Sequence, residues 1–174
     1  MYEGDQIRLR TAEPGDAAFF HRGINDPDVK RGLLARYPMS MEDEVQWINR
    51  IRTITFDNAH FVVEIKTDSR ILGSVALRGA TPEDRTADLG IAIFDKTRWG
   101  KGYGTDAVRT ACRFGFAEMG LARIELWVFA DNDRARRAYE KVGFIHEGTA
   151  RSRVFRHGQR IDEHVMGLLP GELR

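Results

Sequence analysis

The 174-residue chain predicts a mixed α+β fold, and three observations carry that expectation. Between His60 and Phe94, three runs of strand-type residues follow one another through short polar links, as in an antiparallel meander. After Phe94, segments with helical period alternate with one strand-like run. The chain then closes on two strand-like runs around Arg156-His157-Gly158-Gln159. The full order is strand, two helices, three strands, helix, strand, helix, two strands: about seven strands and about four helices. The length suits one domain over residues 1–174.

Each element has its own reason. Gln6 to Thr11 alternates apolar Ile7 and Leu9 with Arg8 and Arg10, a half-buried strand. Asp16 is a candidate N-cap for a helix through Phe20 and Ile24, which stops near Asn25-Asp26-Pro27. Lys30 to Met39 has no period and reads as a loop bordering a site. Ser40 precedes a second helix set by Val45, Ile48 and Ile51. Asp43 stands where a capping box has Glu or Gln, so the box reads as imperfect. His60–Lys66, Ile71–Arg78 and Thr86–Phe94 are the meander strands. Thr105 to Met119 places Val108, Ala111, Cys112, Gly115 and Met119 on one helical face, and Gly120 stops it. Arg123–Phe129 is a strand. Asp131-Asn132 starts a last helix with Ala135, Ala138, Tyr139 and Val142 on one face, closed by Gly143-Phe144.

Composition removes several function classes. The chain is 42% hydrophobic and 30% charged with a formal net charge of +1, so an anion site must be local, and neither nucleic acid nor a membrane surface is an expected partner. The arginines between Arg134 and Arg160 are interleaved with Asp and Glu, a solvated mixed surface. One cysteine, Cys112, leaves no internal disulfide, and the five histidines lack metal spacing, so no metal is expected. No apolar run reaches membrane length and the N-terminus has no apolar signal region, which makes a cytoplasmic protein the expectation.

The most pointed stretch is Arg98 to Val108, RWGKGYGTDAV. Its G-x-G-x-G fits neither the dinucleotide fingerprint nor the P-loop. The physics is the same: glycines let backbone approach a phosphate, and a helix N-terminus offers free N–H groups to an anion. The segment alone leaves two accounts open, a phosphate cradle and a tight strand-to-helix turn.

The strand, this turn, the helix, the next strand and then N-D-R-A-R-R-A-Y-E-K-V-G-F together resemble the GNAT superfamily of N-acetyltransferases. That family's motif Q/R-x-x-G-x-G/A matches Trp99-Gly100-Lys101-Gly102-Tyr103-Gly104, with Trp99 in the Gln/Arg slot. A tryptophan there is similar to the ribosomal-protein alanine N-acetyltransferases. The resemblance implies a centrally splayed sheet, with acetyl-CoA as donor and no covalent enzyme intermediate. It implies a pyrophosphate held by Trp99, Gly100, Lys101, Gly102, Tyr103, Gly104 and Thr105, a pantetheine arm between Thr86–Phe94 and Arg123–Phe129, and, as the alternative to a solvated surface, some of the arginines between Arg134 and Arg160 at the 3′-phosphate of CoA. It places Ile91, Ala92 and Ile93 along that arm, with a backbone N–H of Ile91 or Ala92 polarising the thioester carbonyl. Gly90 reads as a bulge opening the strand or as a packing accommodation.

Tyr139 matches the family's acid, although its spacing alone makes it a core residue. Asn132 is a helix cap, a cofactor ligand or both. Asp88 is the candidate base or amine-holding carboxylate, with Glu125 as competitor. The acceptor implied is a primary amine: by the branch resemblance a protein or peptide N-terminus, or, because FRHGQRIDEHVMGLL is similar to spermidine acetyltransferases, a polyamine or other small amine. A non-catalytic acyl-CoA-binding module is the alternative class. A homodimer is a family expectation.

Overall fold

The computed structural model describes residues 2–174; Met1, counted in the 1–174 range expected above, lies outside the described residues. Among the described residues, eight strands form one sheet, and five helices pack on it. The strands are β1 (Tyr2–Glu3), β2 (Ile7–Arg10), β3 (Asn58–Ile65), β4 (Ile71–Arg78), β5 (Thr86–Ile93), β6 (Arg123–Phe129), β7 (Ile145–Arg156) and β8 (Gln159–Leu168). The helices are α1 (Ala17–Asn25), α2 (Pro27–Arg31), α3 (Met41–Ile51), α4 (Tyr103–Ala117) and α5 (Asp133–Val142). The spatial order is β1-β2-β3-β4-β5-β6-β8-β7. All pairs are antiparallel except β5–β6.

Both faces of the sheet are covered. The larger core joins Leu77, Leu89, Ile124, Leu126 and Met166 to Ala107, Val108 and Ala111 of α4 and Val142 of α5. The smaller core sets Val62 against Phe20, Ile48 and Ile51 of α1 and α3. Cys112 is fully buried in the larger core, where burial pushes its thiol up in pKa. It behaves as a small hydrophobe.

Several local expectations are corrected. Asp16 does not cap α1: its carboxylate takes the guanidinium of Arg10 at 2.9 Å and the Glu13 N–H at 2.8 Å, at the start of a 3₁₀ turn preceding the helix. Asp43 completes the capping box after all, accepting the Ser40 N–H at 3.3 Å while Ser40 Oγ accepts the Asp43 N–H at 3.0 Å. Lys30 and Arg31 are helical rather than loop. Asp26 caps α2 by accepting the N–H groups of Asp28 and Val29, and Pro27 presets the first turn. β1, at two residues, is too short for an alternation signal. The glycine turn begins α4 two residues earlier than expected, because Gly102 sits at φ +89° and lets Tyr103 enter the helix.

The splay is present. Parallel pairing of β5 with β6 covers only Thr86–Arg123, Ala87–Ile124 and Asp88–Glu125, and then the strands part. No bulge causes it, since β4–β5 register runs unbroken from Arg78–Asp88 to Gly73–Ile93. Gly90 is the packing accommodation: a Cβ there would lie 2.8 Å from the Arg78 guanidinium.

Candidate active site

Where β5 and β6 part, backbone groups lose their neighbour, and the register says which. The Phe94 N–H donates to Leu72 O at 2.7 Å, so residues 94, 92, 90 and 88 point their N–H and C=O at β4. Ile91 and Ile93 therefore point theirs into the gap. Of the two candidates for a polarising donor, Ile91 has its N–H free and Ala92 has its N–H committed to β4. The Ile93 carbonyl is taken by the Trp99 indole N–H at 2.8 Å. The Arg134 guanidinium stacks on that indole, 3.7 Å from the ring centroid. Trp99 thus closes one end of the gap.

A cleft of about 330 Å³ opens along this gap. It brings together Ile91, Ala92, Ile93, Trp99, Gly100, Gly102, Gly104, Thr105, Asn132 and Tyr139. Lys101 and Tyr103 do not line it: Lys101 is exposed, and Tyr103 packs on the larger core. Sequence reasoning missed Arg98 and Lys141, and it left Arg134 and Arg137 unsingled within a group of arginines set either in solvent or at a CoA phosphate; all four line it. Arg98 Nε is buried without a hydrogen-bond partner, with the Asp95 carboxylate 4.0 Å away. At the head of α4, Gly102 provides no side-chain cap. Asp106, the acidic residue of that first turn, faces away, accepting the N–H groups of Asp5, Gln6 and Ile7 at 2.7–3.1 Å. Free N–H groups, two glycines at positive φ and a ring of cations suit a phosphorylated cofactor with an extended amide-bearing arm.

A second cleft, of about 620 Å³, lies on the α1/α3 face of the sheet. It shares Gly32, Leu33, Ile91, Ala92, Asn132 and Tyr139 with the first, so the two meet at the splay. Asp88, Glu125 and Glu163 line it, each paired with an arginine: Arg78 at 3.2 Å, Arg123 at 3.2 Å and Arg153 at 2.9 Å. Arg153 also stacks on Trp127 at 3.9 Å. Burial raises the Asp88 carboxyl above its ordinary value against the pull of Arg78, and Glu125 adds to the rise. Burial raises Glu163 too.

Tyr139 stands on α5 at the junction, 8% exposed. Burial, reinforced by the charge of Asp88, pushes its hydroxyl up to about 12. Asn132 caps α5 through the Ala135 N–H at 3.2 Å. Its amide also abuts Gly32 of the loop after α2, where an added Cβ would lie 3.4 Å from Nδ2. That loop was expected to border a site, and Gly32 and Leu33 line both clefts.

The comparisons with known proteins agree with this geometry. A family model described as "Acetyltransferase (GNAT) domain" matches residues 6–145. The "Probable N-acetyltransferase YjcK" of Bacillus subtilis is 39% identical over 97% of both chains. A spermidine N(1)-acetyltransferase of Vibrio cholerae is 27% identical over 94% of this chain and 93% of its own. The structure of the Vibrio cholerae spermidine N-acetyltransferase in complex with CoA and spermine superposes with a TM-score of 0.87 at 26% identity, over 96% of this chain and 97% of that one.

Proposed function

Since the chain belongs to the GNAT acetyltransferase family, we propose that it transfers the acetyl group of acetyl-CoA directly to a small primary amine. The observation that carries the reading is the meeting of two clefts at Tyr139, Ile91 and Ala92, one built for a phosphorylated cofactor and one lined by carboxylates. The relatives named as spermidine acetyltransferases favour a small-amine acceptor. The Trp99 likeness to ribosomal-protein acetyltransferases does not bear on the acceptor, because the indole is engaged with Ile93 and Arg134 in the cofactor cleft.

Bound acetyl-CoA supplies an acetyl group activated as a thioester. Gly100, Gly102 and the head of α4 hold the pyrophosphate, with Arg98 and Arg134 as counter-charges. The Ile91 N–H, fixed in the gap before any ligand arrives, donates to the acyl oxygen, where negative charge grows during attack. Asp88 holds the incoming ammonium, and its raised pKa makes it a better proton acceptor than an ordinary aspartate, through water or directly. Tyr139 stays protonated across the working pH range and donates a hydrogen bond to the departing sulfur. A thiol ionises near 8.5, so the thiolate needs a donor at its side more than a full proton transfer.

Steady-state release of CoA over a panel of small amines and short peptides tests the reading. Turnover with a small amine is expected, and Tyr139→Phe should lower kcat roughly 10- to 100-fold, at the modest end of general-acid effects, with KM for acetyl-CoA unchanged. Binding of acetyl-CoA without turnover on any amine would identify a binding module instead. Turnover on peptides alone would move the acceptor to an N-terminal amine.

A further inference from the structure

The second cleft holds charges of both signs, and they are not equally occupied. Its charged lining residues are Asp88, Glu125, Glu163, Arg78 and Arg153. Each carboxylate already faces a guanidinium: Asp88 that of Arg78, Glu125 that of Arg123 and Glu163 that of Arg153. Arg78 is far less engaged. Among the described residues it donates one hydrogen bond, from Nη2 to Asp88 Oδ2 at 3.2 Å, and its side chain is 52% exposed. Most of its N–H groups are therefore open to a ligand. The position of the guanidinium is built into the sheet. Arg78 pairs with Asp88 across β4 and β5, yet its head leans along β5 to lie over Gly90, where an added Cβ would meet Nη2 at 2.8 Å. The glycine gives the guanidinium its seat. The next residue, Ile91, lines both clefts. An open cation and a carboxylate thus stand side by side next to the junction of the clefts.

We propose that Arg78 is a specificity-determining residue and that the acceptor is an amino acid, its ammonium on Asp88 and its carboxylate on the Arg78 guanidinium. The two protein atoms lie 3.2 Å apart. With a hydrogen bond of ordinary length from each, the carboxyl carbon falls about two or three bonds from the nitrogen. α- and β-Amino acids have that spacing. A diamine does not match the charges: its second ammonium would stand among guanidinium groups and find the carboxylates of the cleft taken. A peptide N-terminus brings an amide where the carboxylate belongs. The Asp88–Arg78 pair is itself half-exposed and weakly held, so an incoming zwitterion competes with little. The proposal rests on the acetyltransferase reading and adds to it the second charged group of the acceptor.

The test measures kcat/KM for a set of α-amino acids, for the amide and the decarboxylated amine of each, for 6-aminohexanoate and for 1,4-diaminobutane. The proteins are wild type, Arg78→Met, Arg78→Lys and Gly90→Ala. Wild type should prefer the best amino acid over its amide and its decarboxylated amine about 10- to 100-fold, mostly through KM. It should also prefer it over 6-aminohexanoate, whose carboxylate lies too far from the nitrogen. Arg78→Met should abolish the preference, and comparing the ratio between proteins cancels the different basicities of the amines. Arg78→Lys, a point charge without the planar fork, should keep part of it. Gly90→Ala keeps the guanidinium but pushes it off its seat, and should weaken the preference too. Calorimetric binding of CoA checks that each variant is folded, since Arg78 and Gly90 are outside the cofactor cleft. A wild type that acetylates the amide, 6-aminohexanoate or the diamine as well as the amino acid overturns the proposal, and so does a folded Arg78→Met protein that retains the preference. No CoA release with any amine would remove the acetyltransferase reading, and this proposal with it; release with other amines but no amino acid removes this proposal alone.

Discussion

At the scale of single residues, the site is a set of groups moved away from their ordinary chemistry by burial. Tyr139 is held protonated, Asp88 is made a better acceptor and His60 is kept neutral. The His60 shift has a stability consequence with a definite sign. Its folded pKa, about 4, lies below the ordinary 6.5, so the unfolded chain binds the proton first as pH falls. Stability is lost as pH drops from about 6.5 to about 4, by roughly 3 kcal/mol at most. Thermal melts of wild type and His60→Phe across this window should diverge, the variant losing less; parallel curves would refute the assignment. Asn132 and Tyr139, which line both clefts, stood out in the sequence because one motif contains them, whereas Asp88 stood out only through the strand that the resemblance sets beside the thioester. His60 did not: its burial against Trp47 depends on how α3 packs on β3, which its neighbours along the chain do not reveal. Arg134 and Arg98 were hidden among many arginines, and only their place on the cleft wall separates them from solvated ones.

At the scale of elements, the turn into α4 does two jobs with adjacent residues. Gly100 and Gly102, at φ +75° and +89°, aim the head of the helix into the cofactor cleft. Asp106 ties the same helix turn to the N-terminal strands by accepting three backbone N–H groups. Asp106→Ala leaves those donors in a partly buried place without a partner, and should cost about 2–4 kcal/mol. Denaturant titration measures the loss, and hydrogen exchange should show it concentrated at Asp5, Gln6 and Ile7. An unchanged midpoint would mean that water replaces the carboxylate. Elements with period or caps were readable: β3 to β6, α3, α4 and α5 fall within two residues of expectation. The failures had local causes. Asp16 looks like a cap, but Arg10, six residues back at the end of β2, offers its carboxylate a stronger partner. α2 carries its signal in Asp26-Pro27, which reads equally well as the end of α1.

At the scale of the molecule, β5 is shared by both clefts, so under the proposed function cofactor and acceptor would meet on one strand. Cofactor binding to the folded state alone should raise the melting temperature with ligand concentration, worth about 2.7 kcal/mol at a hundredfold excess over Kd. Gly102→Glu, with a negative side chain at the pyrophosphate position, should abolish that shift. Gly102→Ala should keep most of it and lose about 1–2 kcal/mol of stability for its left-handed backbone. Equal shifts in wild type and Gly102→Glu would make the glycines only a turn. The sequence by itself determined the strand and helix order, the glycine turn, the tyrosine on the last helix and the family, because these are local patterns read along one chain. Only the tertiary structure decided that β5 and β6 part after Asp88, that Ile91 rather than Ala92 frees its N–H, and that the second cleft brings Asp88, Glu125 and Glu163 to one wall. Those outcomes depend on register between strands, and register is set by the packing of the whole sheet rather than by the residues of any one strand.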